Sequence, residues 1–139
     1  MNLVVDTSVW STVLRRARVE ESIPYVRAFR THIEADDGIF LIGNILQELL
    51  DGLRDKKELD RLVKLLEPFP LIALERETYV AAAELRQRCR AKGVQVGPID
   101  CLIATACIQE NYPLLTADRD FLHIAQHSVL VILEPAWRS

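Results

Sequence analysis

Four acidic side chains lie where a carboxylate is unusual or directly follows an apolar run. Asp6 ends the segment "NLVVD", Glu48 lies among the leucines of "NILQELLDG", and Asp118 follows "YPLLTA". Asp100 is the single charge in "VGPIDCLIATACIQ", a stretch that is apolar nearly all the way round a helix. Since a carboxylate in an apolar interior costs free energy unless something binds it, Asp100 indicates a bound partner.

The elements that must position these acids follow from the hydrophobic pattern. Short apolar segments predict five strands, at "NLVVD", "IFLIG", "PLIAL", "YPLLTA" and "SVLVIL". Helical patterns lie between these strands, and the last of them covers about residues 118 to 126. This alternation over 139 residues predicts one α/β domain, 1–139, whose mostly parallel central sheet of about five strands is flanked by helices.

Polar residues at the predicted helix starts indicate caps. Thr7 or Ser8 suits the cap of the first helix, and Ser22 with Pro24 opens the second. Asn44 and Gln47 have the spacing of a capping box before a leucine-rich helix.

Ligands of parallel α/β sheets bind beyond the carboxyl ends of the strands. Asp6 lies where the first strand ends, and Glu48 lies near the start of the helix after the second. Asp100 opens its helix, while Asp118 and Asp120 directly follow the fourth strand. Four separate segments therefore bring acid to one edge of the predicted sheet.

Each acid also has a simpler interpretation when it is taken alone. Asp6 and Asp118 suit helix caps, and Asp100 suits the positive end of a helix dipole. Glu48 suits a solvated helix face, because it lies off the centre of the leucine stripe. Acids that converge from four elements nevertheless need a shared explanation.

A hard metal ion supplies that explanation. Neighbouring carboxylates repel one another unless a cation neutralises them, and oxygen ligands without histidine or cysteine select Mg²⁺ or Mn²⁺. The three histidines, His32, His123 and His127, form no metal-binding pattern. An ion of this kind suits phosphoryl chemistry, because it polarises a phosphate and lowers the pKa of an attacking water.

Four segments carry a resemblance to a known family. "VVDTSVW", "NILQELLDG", "GPIDCLIATAC" and "LLTADRDF" resemble, in order and spacing, the motifs of PIN-domain ribonucleases, and more specifically of VapC-type toxins of toxin–antitoxin pairs. The resemblance covers almost the whole chain. It implies a PIN fold and a Mg²⁺-dependent endoribonuclease that cleaves RNA phosphodiester bonds.

The resemblance also implies which residues carry the chemistry. The acidic quartet of the family corresponds to Asp6, Glu48, Asp100 and Asp118. Asp6 and Asp100 are implied as direct metal ligands, and Thr7 or Ser8 matches a hydroxyl that often follows the first aspartate. For the fourth position "TADRDF" offers Asp118 and Asp120, and Asp118 is preferred because it lies closer to the strand end.

Partners are implied in the same way: an RNA substrate, a small VapB-like antitoxin that blocks the acidic cleft, and a second copy in a homodimer, all in the cytoplasm. A formal net charge of −3 gives RNA no global attraction, so local arginines are needed. Two clusters are candidates, namely Arg15, Arg16 and Arg18, and Arg86, Arg88, Arg90 and Lys92. For either cluster, an ordinary solvated helix face is the more common explanation. The leucine-rich helices 44–54 and 58–67 suit internal packing or an antitoxin segment.

Other classes of protein fit less well. The three cysteines have neither metal-ligand spacing nor the even number of a disulfide framework, and no signal peptide or membrane span is expected. A haloacid-dehalogenase-like phosphatase would carry aspartate where Ser8 stands, and a receiver domain would carry a lysine after a late strand. The alternative that stays open is a catalytically silent PIN-like module that binds protein or RNA.

Overall fold

The computed structural model describes residues 1–15 and 23–133. Its strands are β1 (Asn2–Val5), β2 (Gly38–Ile42), β3 (Leu71–Ile72) and β4 (Leu114–Leu115). Its helices are α1 (Thr7–Arg15), α2 (Pro24–Glu34), α3 (Gly43–Asp51), α4 (Lys56–Leu66), α5 (Arg76–Ala91), α6 (Pro98–Glu110) and α7 (Asp120–Gln126). The predicted alternation of strands and helices is confirmed.

The four strands form one sheet in the order β3-β2-β1-β4, and every neighbouring pair is parallel. The predicted fifth strand, "SVLVIL", is reduced to an isolated parallel bridge between Leu114 and Ile132. Backbone hydrogen bonds of 2.9 Å from Leu114 N to Val131 O and from Leu133 N to Leu114 O hold this segment beside β4. The described sheet therefore has four strands rather than about five.

The burial of β1 explains why its sequence is a continuous apolar run. Leu3, Val4 and Val5 are fully buried, as expected for a central parallel strand with both faces covered by helices. In α6 every residue from 101 to 107 is buried, which confirms that this helix is interior. Cys101 and Cys107 are buried there as free thiols, and burial raises their pKa values to about 11 and about 12.

The first helix is not capped as predicted. Both Thr7 and Ser8 lie inside α1, and the Asp6 carbonyl accepts hydrogen bonds from Val9 N and Trp10 N, each at 3.1 Å. The two hydroxyls bond instead to carboxylates from the edge of the sheet, as described below.

The capping box predicted at Asn44 and Gln47 is also wrong. The helix α3 begins at Gly43, directly after β2, so Asn44 already lies inside it. Ile42 occupies the cap position and makes no side-chain cap hydrogen bond. Pro24 does open α2, whereas Ser22 lies outside the described residues.

A membrane-spanning helix is not found among the described residues, since none of their helices has the necessary length and hydropathy.

Leu114 provides a test of this core. It is fully buried, whereas Leu65 on α4 is 54% exposed. We expect Leu114→Ala to lower the free energy of unfolding by about 2–5 kcal/mol, because it leaves a cavity beside β1. The same substitution at Leu65 is expected to cost less than about 1 kcal/mol. Urea denaturation at one protein concentration measures both values, and equal losses would contradict the burial of β4.

Candidate metal centre

Three carboxylates meet beyond the carboxyl end of β4. Oxygen atoms of Asp100, Asp118 and Asp120 all lie within 4.8 Å of one another. Asp100 lies in the first turn of α6, Asp118 lies between β4 and α7, and Asp120 is the first residue of α7. The Asp118 carboxylate accepts a hydrogen bond from Asp120 N at 2.9 Å. Both candidates for the fourth acidic position therefore lie beside Asp100.

Asp6 lies deeper, at the end of β1, where its side chain is only 6% exposed. Its Oδ2 atom accepts hydrogen bonds from Ser8 Oγ at 2.8 Å and from Thr116 Oγ1 at 2.9 Å. Because both donors are hydroxyls, they satisfy the charged form of the buried carboxylate without bringing a competing positive charge.

Thr116 is a site residue that sequence reasoning missed. It is fully buried, and besides donating to Asp6 it accepts a hydrogen bond from Asp118 N at 3.0 Å. Ser8 makes the equivalent connection, because its Oγ accepts from Ala117 N at 3.0 Å. The available signal was a hydroxyl residue at the end of the apolar run "LLTAD". These bonds tie the end of β1 to the segment after β4.

Glu48 lies at the rim of the site. Its side chain is exposed on α3, and Thr7 Oγ1 donates a hydrogen bond to Glu48 Oε2 at 3.3 Å. The predicted quartet is therefore drawn from β1, α3, α6 and the β4–α7 connection, as expected for a parallel sheet. Within the described chain, the three-carboxylate group contains neither Asp6 nor Glu48.

The electrostatics of Asp100 reflect all of these acids. Burial and neighbouring negative charge together raise the pKa of Asp100 from 3.8 to about 6. Burial is the largest cause, followed by the charges of Asp118, Asp6, Asp120 and Glu48 in that order. The ionised form of Asp100 is thus disfavoured by desolvation and by like charge. A cation at this position would reverse both effects.

The donor set is one of oxygen atoms. The acidic group of the described chain includes no histidine or cysteine, and the buried thiols of α6 are held protonated by their raised pKa values. Carboxylate oxygens suit Mg²⁺ or Mn²⁺ rather than zinc. Asp100, Asp118 and Asp120, with Asp6 behind them, are the residues that could hold such an ion.

The comparison with protein families decides the family. The profile of the PIN domain matches residues 3–126. This chain belongs to the PIN domain family. The resemblance read from the four sequence motifs is confirmed at this level. No curated protein is significantly similar in sequence.

Solved structures share the PIN fold over nearly the full length of the chain. VapBC2 of Rickettsia felis, bound to a promoter DNA fragment, is similar with 20% identity and a TM-score of 0.73, covering 96% of this chain and 98% of that one. FitAcB of Neisseria gonorrhoeae has 22% identity and a TM-score of 0.72, with both chains covered fully (100%). VapBC-1 of nontypeable Haemophilus influenzae has 17% identity and a TM-score of 0.74, covering 96% and 97%.

The raised pKa of Asp100 predicts that its carboxylate lowers the stability of this PIN domain. In metal-free protein at about pH 7.5, we expect Asp100→Asn to raise the free energy of unfolding by up to about 3 kcal/mol. Because the pKa rises from 3.8 in the unfolded chain to about 6 in the folded one, the folded state binds more protons between these values. The penalty of the wild-type carboxylate therefore grows as pH rises from about 4 and is complete above about 6.

Urea denaturation in EDTA across this pH range measures the effect. The gain from Asp100→Asn is expected to disappear as pH falls towards about 4. Asp36→Asn is the matched control, since Asp36 is exposed on the turn before β2, at the opposite end of the sheet. A gain that does not change with pH, or a loss of stability at about pH 7.5, would contradict the electrostatic account.

Proposed function

We propose that this PIN domain is a Mg²⁺-dependent endoribonuclease, with Mn²⁺ as a possible substitute. The observation that carries the proposal is the group of three carboxylates, Asp100, Asp118 and Asp120, within 4.8 Å of one another. Such a group is costly to maintain without a cation, as the raised pKa of Asp100 indicates. When bound, Mg²⁺ polarises a phosphate and lowers the pKa of an attacking water.

The chain's own residues take distinct roles in this proposal. Asp6 and Asp100 would hold the ion, and Ser8 and Thr116 orient Asp6 through hydrogen bonds of 2.8 and 2.9 Å. Asp118 and Asp120 both lie beside Asp100, so either one can supply the fourth acidic position.

Glu48 completes the quartet in this proposal from the rim of the site. Its exposed carboxylate would help to hold the ion, and Thr7 Oγ1 donates a hydrogen bond to it at 3.3 Å.

The proposal extends to a toxin of a VapBC-like pair with a VapB-like antitoxin. Four of the similar structures are named as VapBC, and another is named as a toxin–antitoxin complex from Klebsiella pneumoniae. In this chain, a groove of about 460 Å³ between α1, α3 and α4 lies next to Glu48. Its apolar lining is Leu14, Leu49, Leu53, Leu62 and Leu65. A groove of this kind suits the apolar face of an amphipathic helix.

The same leucine-rich helices also pack internally. Ile45 and Leu66 are buried and do not line the groove, whereas Leu65 is 54% exposed along it. The two interpretations of these helices, internal packing and a docking surface, are therefore compatible, because different side chains serve each one.

A homodimer and a cytoplasmic location complete the proposal. Tyr79 on α5 and Ile99 on α6 are 53% and 44% exposed and line one cavity, and an exposed apolar surface of this kind suits a protein contact. A second copy of the chain would cover this face. The cytoplasm is where an RNA substrate and a newly made antitoxin would both be met.

Cleavage of a mixed pool of structured RNAs tests the proposed activity. We expect discrete fragments with Mg²⁺, none with EDTA, and a rate at least about 100-fold lower for Asp100→Asn, because the ion loses a ligand. Asp36→Asn is expected to cleave like the wild type. Equal rates for Asp100→Asn and the wild type would contradict the assigned site. No cleavage by folded, antitoxin-free protein would favour the silent binding module.

A further inference from the structure

A polar cavity lies between α5 and the loop that leads into α6. It has a volume of about 290 Å³ and is lined by Arg86, Arg90 and residues 94–96. The two arginines are four residues apart on α5, so they share one helix face, whereas Arg88 and Lys92 do not line the cavity. This volume lies just below the range for small-ligand pockets, roughly 300–1,000 Å³, and suits a single small group.

Arg86 is held in place by the chain itself. Its side chain is half-buried, and Nε donates a hydrogen bond to the Val96 carbonyl at 2.9 Å. This bond fixes the guanidinium against the loop that leads into α6, while the terminal N–H groups stay available to a ligand. Preorganisation of this kind lowers the entropy lost when an anion binds.

Neither arginine is paired with an acid in the part of the chain that the structure describes. Among the described residues, no carboxylate oxygen lies within 4.0 Å of the Arg86 or Arg90 guanidinium. Gln95 is exposed at the same cavity and adds an amide that can donate a hydrogen bond. The cavity therefore offers several donors and a double positive charge, in a chain whose net charge is −3.

The cavity is close to the carboxylates along the chain. Val96 precedes Asp100 by four residues, a span of at most about 14 Å. Arg86 also lines the neighbouring cavity with Pro98 and Ile99, in the first turn of α6, which carries Asp100. An extended strand with one phosphate at Asp100 could therefore place another at the arginines.

We propose that the cavity of Arg86, Arg90 and residues 94–96 binds a backbone phosphate of the RNA substrate, a short distance along the strand from the phosphate that is cleaved. This inference rests on the proposed ribonuclease function. Arginine suits the role because its planar fork pairs with phosphate oxygens in a bidentate manner. A phosphate contact of this kind positions RNA without reading its sequence, so it is expected to affect all substrates alike.

Arg90→Gln is the test variant, since Arg90 is exposed and is not part of the bond that holds the loop. Both the variant and its parent carry Asp100→Asn, so that labelled RNA is bound but not cut. In Mg²⁺ we expect Arg90→Gln to raise the Kd for RNA about 5- to 20-fold. The slope of log Kd against log salt concentration is expected to fall by about 0.7, the value for one lost single-strand phosphate contact.

Two further variants make the result specific. Arg76→Gln removes the same charge from the exposed start of the same helix, and it is expected to leave the Kd within about twofold. Arg90→Lys keeps the charge and loses the fork, so we expect it to restore the salt slope and part of the affinity. Equal unfolding midpoints in urea establish that the variants remain folded.

The outcomes separate this inference from the function on which it rests. If the wild type cleaves RNA and Arg90→Gln binds like Arg76→Gln, the phosphate site is wrong and the ribonuclease proposal stands. If Arg90→Gln weakens binding of an acidic protein partner but not of RNA, the phosphate site is also wrong. If the wild type neither binds nor cleaves any RNA of the pool, both proposals are overturned.

Discussion

Repulsion among carboxylates at one edge of a parallel sheet is the constraint on which the rest of this structure depends. Burial and the charges of Asp118, Asp6, Asp120 and Glu48 together raise the pKa of Asp100 to about 6. The chain nevertheless holds these groups together, because β1 and β4 end at that edge and α6 begins there. Hydroxyl groups of Ser8 and Thr116 and the backbone N–H of Asp120 support the acids without neutralising them. The negative charge that these carboxylates keep is what a bound cation would neutralise.

The parts of this arrangement that sequence alone could predict are those with a local pattern. The α6 segment is apolar all round and is buried from residue 101 to residue 107, so one charge within it was informative. The β-branched run that precedes Asp6 is a fully buried central strand. Parallel strands then place acids that follow different strands at a common edge.

Features that depend on contacts distant in sequence could not be predicted. Thr116 meets Asp6 across 110 residues, and a hydroxyl at the end of an apolar run does not show which carboxylate it will contact. The same contacts explain the wrong caps, because Thr7 and Ser8 bond to carboxylates rather than to the start of α1. The fifth strand was overestimated because its pairing with Leu114 is a single bridge. Spacing could not separate Asp118 from Asp120, and both lie beside Asp100.

The central claim is that this carboxylate edge is a site for a divalent cation. Anomalous diffraction from crystals grown in Mn²⁺ tests it most directly, because the signal locates the ion without reference to activity. The account predicts a strong peak within about 2.5 Å of a carboxylate oxygen of Asp100 and of at least one other acid of the edge. Crystals saturated with Mn²⁺ that show no peak there, or a peak only elsewhere on the molecule, would contradict it.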